Sequence, residues 1–236
     1  MSGKLELPPT NCSGLIRALR RLDSLLQQAL SQADDIYGRE QASDPFRGLH
    51  VSSHEVNQLL AREPGIPLLW RGRRDNTSAE PCIGADDSLL TWLMPASGLS
   101  PFDLDVLIVA LAPEVDLRYE RIYAYLQNDV TRRRPTVDLA LNLLCSSVDE
   151  KLARRAHFAA DSPIIRHCLI HLIPDPNQLR PPLLAHYIEV DDQIIRLLLN
   201  QRGLDRRLAP YCQLITSRTK TAISLLLMKL SVRCQC

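Results

Sequence analysis

Apolar positions spaced three and four apart dominate the chain and predict mostly helices. Over residues 13–37, Leu15, Ile16, Leu19, Leu22, Leu25, Leu26, Ala29, Leu30 and Ala33 form one stripe, with Asn11 or Ser13 as cap and Gly38 as stop. A turn follows at SDPFRGL, then a short helix over 54–61 with Val56, Leu59 and Leu60 as its apolar face. Residues 71–88 carry few apolar anchors and read as a linker, with a boundary near residue 98. Ser100 and Pro101 then occupy N-cap and first-turn positions, with Asp103 and Asp105 where the helix dipole favours acids. The helix they open is apolar nearly all round, which predicts burial, and Pro113 is expected to close it. Asp116 opens a second helix with Leu117, Tyr119, Ile122, Tyr123 and Leu126 on one stripe, ended by Asn128 and Asp129. Thr136 caps a third, with Asp138 in its first turn and Val137, Leu139, Ala140, Leu143 and Leu144 inward.

The pattern then changes period. Residues 168–173 (CLIHLI) and 183–190 (LLAHYIEV) are short aliphatic and β-branched runs either side of the proline-rich PDPNQLRPP, which predicts a β-hairpin with a long tip. The expected fold class is therefore mainly α with a small β-hairpin, a winged helix preceded by an N-terminal helical segment. Helices are expected over 191–200 and 204–214, separated by Gly203. The predicted division is residues 1–98 as helical segment and linker, 99–200 as winged helix, and 201–236 as a C-terminal helical segment. That last segment ends without a capping pattern or polar tail, so the chain reads as one truncated domain of something longer.

Composition narrows the function. With 28 basic against 27 acidic residues the net charge is +1, which argues against wholesale polyanion binding and makes any nucleic-acid surface a local one. No signal-peptide pattern opens the chain and no apolar run reaches membrane-spanning length, so the expected setting is cytoplasmic. Seven scattered cysteines, an odd number, read as reduced thiols.

The run FDLDVLIVALAPEVDLRYERIYAYLQNDVTRRRPTVDLALNLL closely resembles the N-terminal winged-helix region of a family of bacterial AAA+ ATPases. HLIPDPNQ, PPLLAHYIEVDDQIIRLLL, GLDRRLAPYCQL and the upstream DPFRGLHVSSHEVNQLLAREPG resemble the same family in the same order, so the likeness covers roughly residues 13–215. It implies an accessory domain without its motor, because the chain contains no G-x-x-x-x-G-K-[ST] run and no apolar stretch ending in Asp-Glu. No nucleotide-binding residue is carried over, and no cofactor is expected.

Arg132, Arg133 and Arg134 are the candidate partner-binding residues. They precede the positive end of the Thr136 helix, where each cation is unfavourable by about 0.3 to 1 kcal/mol, so an anionic partner or neighbouring acids such as Asp129 and Glu120 must compensate. The third helix itself, TVDLALNLL, has no cation with which to read base edges. His167, Cys168 and His171, like His50 and His54, lack a complete metal first shell. Cys234 and Cys236 read as incidental, and no nucleophile elbow or carboxylate pair points to hydrolysis. The expected function is a non-catalytic module that docks a protein partner or AAA+ substrate. The alternatives are a winged-helix DNA-binding regulator and an adaptor that self-associates through the 13–37 helix.

Overall fold

A computed structural model of the chain describes residues 13–33, 56–57, 60–69, 89–201 and 207. The expected turn at 43–49, the linker at 71–88 and the helix at 204–214 lie outside the described residues, apart from Arg207. In chain order the elements are α1 (Ser13–Ala33), α2 (Leu89–Ser97), α3 (Pro101–Val115), α4 (Arg118–Leu126), α5 (Val137–Leu144), α6 (Val148–Arg154), α7 (Pro163–Arg166), β1 (Ile170–Ile173), β2 (Tyr187–Val190) and α8 (Asp192–Leu198). One hydrophobic cluster extends from Leu15 of α1 to Leu198 of α8, so the N-terminal helix shares its core with the hairpin. Among the described residues no helix is long and apolar enough to cross a membrane.

Helix α3 is the centre. Ser100 caps it in a reciprocal box: the Asp103 N–H donates to Ser100 Oγ at 3.2 Å, and the Ser100 N–H donates to Asp103 Oδ2 at 2.8 Å. Asp105 falls beyond the first turn and instead faces Arg21 of α1 at 3.6 Å. Phe102 to Leu104 and Val106 to Ala112 are all buried, and α1, α2, α4, α5 and β2 surround the helix. The preceding helix, α2, ends at Gly98, whose φ of +64° turns the chain while the Leu99 N–H returns to the Met94 carbonyl at 2.9 Å. Its run LLTWLMPAS was hidden from pattern reading by Pro95 and by its position beside the polar stretch.

Pro113 does not close α3; the helix continues to Val115 with the proline inside its last turn. A proline at 113 has no N–H for the carbonyl four residues back, that of Val109, and leaves it buried without its helical partner. The Tyr123 hydroxyl, itself buried, donates to this carbonyl at 2.8 Å. The expected break is thus repaired from α4, and the phenol is held far from ionising because its burial pushes its pKa well up.

The inward stripe of α4 is Tyr119, Tyr123 and Leu126. Leu117, expected on that stripe, is 69% exposed. It stands two residues before Tyr119, about 200° round a helix and so on the opposite side. Helix α1 docks here through a polar contact. Tyr119 donates to Asp23 Oδ1 at 2.8 Å, and Arg118 Nη2 donates to Asp23 Oδ2 at 2.6 Å. Burial raises the Tyr119 pKa, which keeps the phenol a donor.

The hairpin is antiparallel, with Ile170 opposite Val190 and Ile173 opposite Tyr187. Its strands are shorter than the runs 168–173 and 183–190. Cys168 has a left-handed φ of +53°, and Leu183–Ala185 form a 3-10 turn before β2. A third short segment joins the sheet: the Ile188 N–H donates to the Pro135 carbonyl at 2.8 Å and the Val137 N–H to that of His186 at 2.9 Å. Upstream, Val56, Asn57 and Leu60 are helical, but Val56 and Leu60 are exposed at 41% and 78%, so they are not the inward face expected of them.

Asp191 joins the end of the sheet to α8. Its carboxylate accepts the Gln193 N–H at 2.9 Å, lies 3.0 Å from His171 Nε2, and accepts from Arg207 at 2.9 Å and 3.2 Å. Burial alone would raise its pKa; the hydrogen bonds from His171, Arg207 and Gln193 outweigh that and hold it far below the usual carboxylate range. A folded-state pKa below the unfolded value makes this contribution complete above about pH 4 and lost as the pH falls through the folded value.

Two outcomes follow for stability. Tyr123→Phe leaves the Val109 carbonyl unpartnered and lowers unfolding free energy by about 1 to 3 kcal/mol, whereas in a Pro113→Ala background, where residue 113 regains its N–H, the same change costs less; urea unfolding of the four proteins closes the cycle. Asp191→Asn destabilises at neutral pH but loses less further stability on acidification than the wild-type chain, which thermal melts between pH 7 and pH 3 will register.

Candidate partner-binding surface

The arginine run sits in the loop between α4 and α5, and that loop is folded around one side chain. Gln127, at the C-terminus of α4, donates through Nε2 to the carbonyls of Arg132 at 2.8 Å and Arg134 at 3.0 Å. Its Oε1 accepts from the Thr136 hydroxyl at 2.7 Å and the Thr136 N–H at 3.3 Å. Thr136 Oγ1 in turn accepts the Leu139 N–H at 3.2 Å and so caps α5 as its sequence predicted. At the loop's start Asn128 takes a left-handed φ of +50°, and the Asp129 carboxylate accepts the Thr131 N–H and hydroxyl at 2.9 Å and 2.6 Å. Burial works against the Asp129 charge, but Thr131 and Arg132 together bring its pKa below the ordinary value.

The three arginines have different surroundings. Arg132 Nε lies 3.3 Å from Asp129. Arg134 spans Glu189 of β2 at 3.2 Å and Glu114 of α3 at 3.8 Å. Arg133 is exposed, with no ion pair among the described residues. Asp129 is therefore one of the compensating acids expected, Glu114 and Glu189 are the others, and Glu120 takes no part. Pairs this exposed contribute up to about 1 kcal/mol each, enough to offset the dipole cost.

The compact helix-turn-helix lies one helix later than the run around Thr136 suggested. Ten residues separate α4 from α5, but α5 and α6 are joined by only Cys145, Ser146 and Ser147. Helix α5, the third helix expected to approach base edges, is buried at every position except Asp138, which is half-buried. Part of its cover is the upstream segment, whose Leu68 N–H donates to Asn142 Oδ1 at 3.3 Å. Asn142 also accepts from Lys151 Nζ at 2.7 Å and donates to Asp138 at 2.9 Å, while Lys151 reaches Asp138 at 3.1 Å. This triad fastens α6 to α5.

Helix α6 and the 3-10 turn Arg155–Phe158 were missed in sequence, though Ser147-Val148-Asp149-Glu150 carries a capping signature. The Glu150 N–H donates to Ser147 Oγ at 3.2 Å, and Glu150 Oε2 accepts from the Ser146 N–H and hydroxyl. The cations of α6 turn inward. Lys151 is buried, and Arg154 stacks over the Phe102 ring at 4.9 Å and pairs with Glu150 at 3.7 Å. His157 Nδ1 meets the buried Asp103 at 2.7 Å and tethers the end of the turn to the α3 cap. What faces outward is Asp149, Leu152, Ala153 and Ala156, with Arg155 half-exposed.

The remaining candidates are dispersed. His167 follows α7, its pKa lowered by burial and by Arg166, while His171 belongs to β1 and to Asp191. Helical spacing therefore does not bring His167 and His171 together. His50, His54, Cys234 and Cys236 lie outside the described residues. Cys145 is buried and Cys168 half-buried, and no group of three or more His, Cys, Asp or Glu suited to a metal occurs among the described residues. A shallow cleft beside α5, lined by Leu68, Leu126, Gln127, Arg132, Thr136 and Asp138, has its polar groups engaged within the fold: Gln127 by Thr136, Arg132 by Asp129 and Asp138 by Lys151 of α6.

In comparison with known proteins, a family model described as "Winged helix domain, variant" matches residues 15–212. No curated protein and no solved structure matches the chain.

Removing the side chain that organises the loop gives a direct readout. Gln127→Ala deletes four hydrogen bonds, and limited trypsin digestion is expected to cut after Arg132 or Arg133 several-fold faster than in the wild type, with a stability loss of about 1 to 3 kcal/mol.

Proposed function

From the premise that the chain belongs to the family of variant winged helix domains, we propose that it is a non-catalytic docking module that binds a protein partner through the loop carrying Arg132, Arg133 and Arg134. The observation that carries this reading is the disposition of the helix-turn-helix cations. A helix that reads DNA directs Arg, Lys, Asn or Gln into the major groove. Here Lys151 and Arg154 are bound to groups of the same fold, Asn142 is buried between α5 and α6, and the outward side of α6 and the 3-10 turn after it offers Asp149, Leu152, Ala153 and Ala156, with Arg155 half-exposed beside them. Arg133, by contrast, stands exposed on a loop held in place by Gln127, an arrangement suited to a carboxylate of another protein.

The resemblance to the accessory region of AAA+ ATPases supports a more specific setting, in which the module positions a partner or substrate for a motor domain. The absence of a P-loop in the chain is consistent with hydrolysis taking place elsewhere. A DNA-binding regulator is the competing reading, and its signature is a steep loss of affinity with salt.

Fluorescence anisotropy with a labelled duplex at low salt should give no saturable binding, and the purified chain should not hydrolyse ATP above buffer. A photo-crosslinking residue at Thr131, used in cells of the source organism, should yield a discrete protein adduct that Arg133→Glu abolishes. Duplex binding lost in an Arg132→Glu, Arg133→Glu, Arg134→Glu variant would instead establish the DNA reading.

A further inference from the structure

The upstream segment 65–69 lies against α5 and is held there lightly. Pro67 and Leu69 are buried, Leu68 is half-buried and Ile66 is 40% exposed. Among the described residues, one hydrogen bond ties the segment to the helices, from the Leu68 N–H to Asn142 Oδ1 at 3.3 Å. Helix α1, by comparison, buries seven residues in the same core. The segment passes the start of α6 at Gly65, whose φ of +82° glycine alone adopts freely and where a Cβ would stand 3.2 Å from Val148 Cγ1.

The seat keeps its own structure when the segment lifts off. Asn142 Oδ1 also accepts from Lys151 Nζ at 2.7 Å, and Asn142 Nδ2 donates to Asp138 at 2.9 Å, so departure of the Leu68 N–H strands no polar atom of Asn142. Helix α5 is supported from its other sides by α1, α3 and α6. The junction is also incompletely filled. The shallow cleft beside α5 has Leu68 and Leu69 of the segment among its walls together with Leu126, Leu139 and Asn142, a gap of a kind that close-packed interiors rarely leave.

We propose that 65–69 is a releasable strap, and that its seat on α5 takes an extended apolar segment of a partner protein when the strap lifts. The chemistry of that occupant is read from the one the seat already holds: two apolar side chains, in the places of Pro67 and Leu69, and between them a backbone N–H for Asn142 Oδ1. An element with few buried contacts opens locally at a smaller cost than the whole fold. An internal occupant lowers the affinity of a competing segment by the fraction of time the seat stands empty, so the strap sets the threshold at which a partner docks. The seat adjoins the arginine loop, since Arg132 lines the same cleft, but the inference does not rest on the arginine-loop reading.

The test uses the full chain and a fluorescein-labelled peptide of residues 61–69. Leu69→Ser weakens the chain's own strap, and this variant is expected to bind the peptide at least about tenfold more tightly than the wild type, while a peptide carrying the same change binds neither. Gly65→Ala, which strains the strap beside Val148, should act in the same direction. Circular dichroism melts report the fold of each variant. Arg133→Glu should leave peptide binding unchanged, so this inference and the arginine-loop reading fail separately. In the wild type, hydrogen exchange of the Leu68 N–H should proceed through local opening, at a rate that the globally destabilising Tyr123→Phe leaves unchanged. Exchange of Leu68 only as slowly as the α3 amides overturns the proposal whether or not the variants fold. Equal peptide affinity of the wild type and a folded Leu69→Ser chain, or no binding by that chain, overturns it as well.

Discussion

A helix with no stripe for solvent has to be surrounded, and α3 is such a helix. Its ten buried positions between Phe102 and Ala112 include residues on every side, so the other elements are arranged by the need to cover it. Helix α1 covers one side and adds the Arg21–Asp105 contact, α4 and α5 cover others, and β2 closes the remainder with Ile188 and Val190. Burying apolar surface on this scale is the main favourable contribution to folding, and it explains why α1 shares the winged-helix core. The polar residue that α3 does bury, Asp103, is fully engaged by the Ser100 cap and by His157.

Local signals with a single physical cause were readable from the chain. Ser100-Pro101 and Thr136 announced helix starts because a side-chain oxygen is needed where backbone N–H groups lack partners, and both do that work in the fold. The two strands were visible as β-branched runs, but their lengths were not, since Cys168 and Leu183–Ala185 leave the extended conformation under constraints set by α7 and by the wing. Pro113 misled for the same reason. Proline's local cost is visible in sequence, whereas a hydroxyl that reaches back to a carbonyl fourteen residues earlier from a neighbouring helix is not. Helix α6 escaped because its seven residues carry no apolar stripe of their own: Lys151 is its buried member, and its partners Asp138 and Asn142 belong to α5.

The candidate site was legible in part for a related reason. That Arg132, Arg133 and Arg134 would stand together before a helix start is a matter of sequence. Which of them keep their charge free depends on Glu114 and Glu189, brought in from α3 and β2. The loop that holds them is shaped by Gln127, a residue with no apolar period, motif or charge to single it out. A side chain whose role is to bond four backbone and hydroxyl groups of a later segment has no signature until the segment is folded against it.

The contact between Tyr123 and the Val109 carbonyl also has a consequence across time. Proline at 113 and a hydroxyl at 123 each make sense only in the presence of the other: without Pro113 the carbonyl would already be bonded, and without the hydroxyl it would be stranded in the core. Drift at one position therefore changes the penalty for drift at the other. Across a set of diverging sequences with this fold, the two positions should vary as a linked pair, with loss of proline at the first preceding or accompanying loss of the phenolic oxygen at the second.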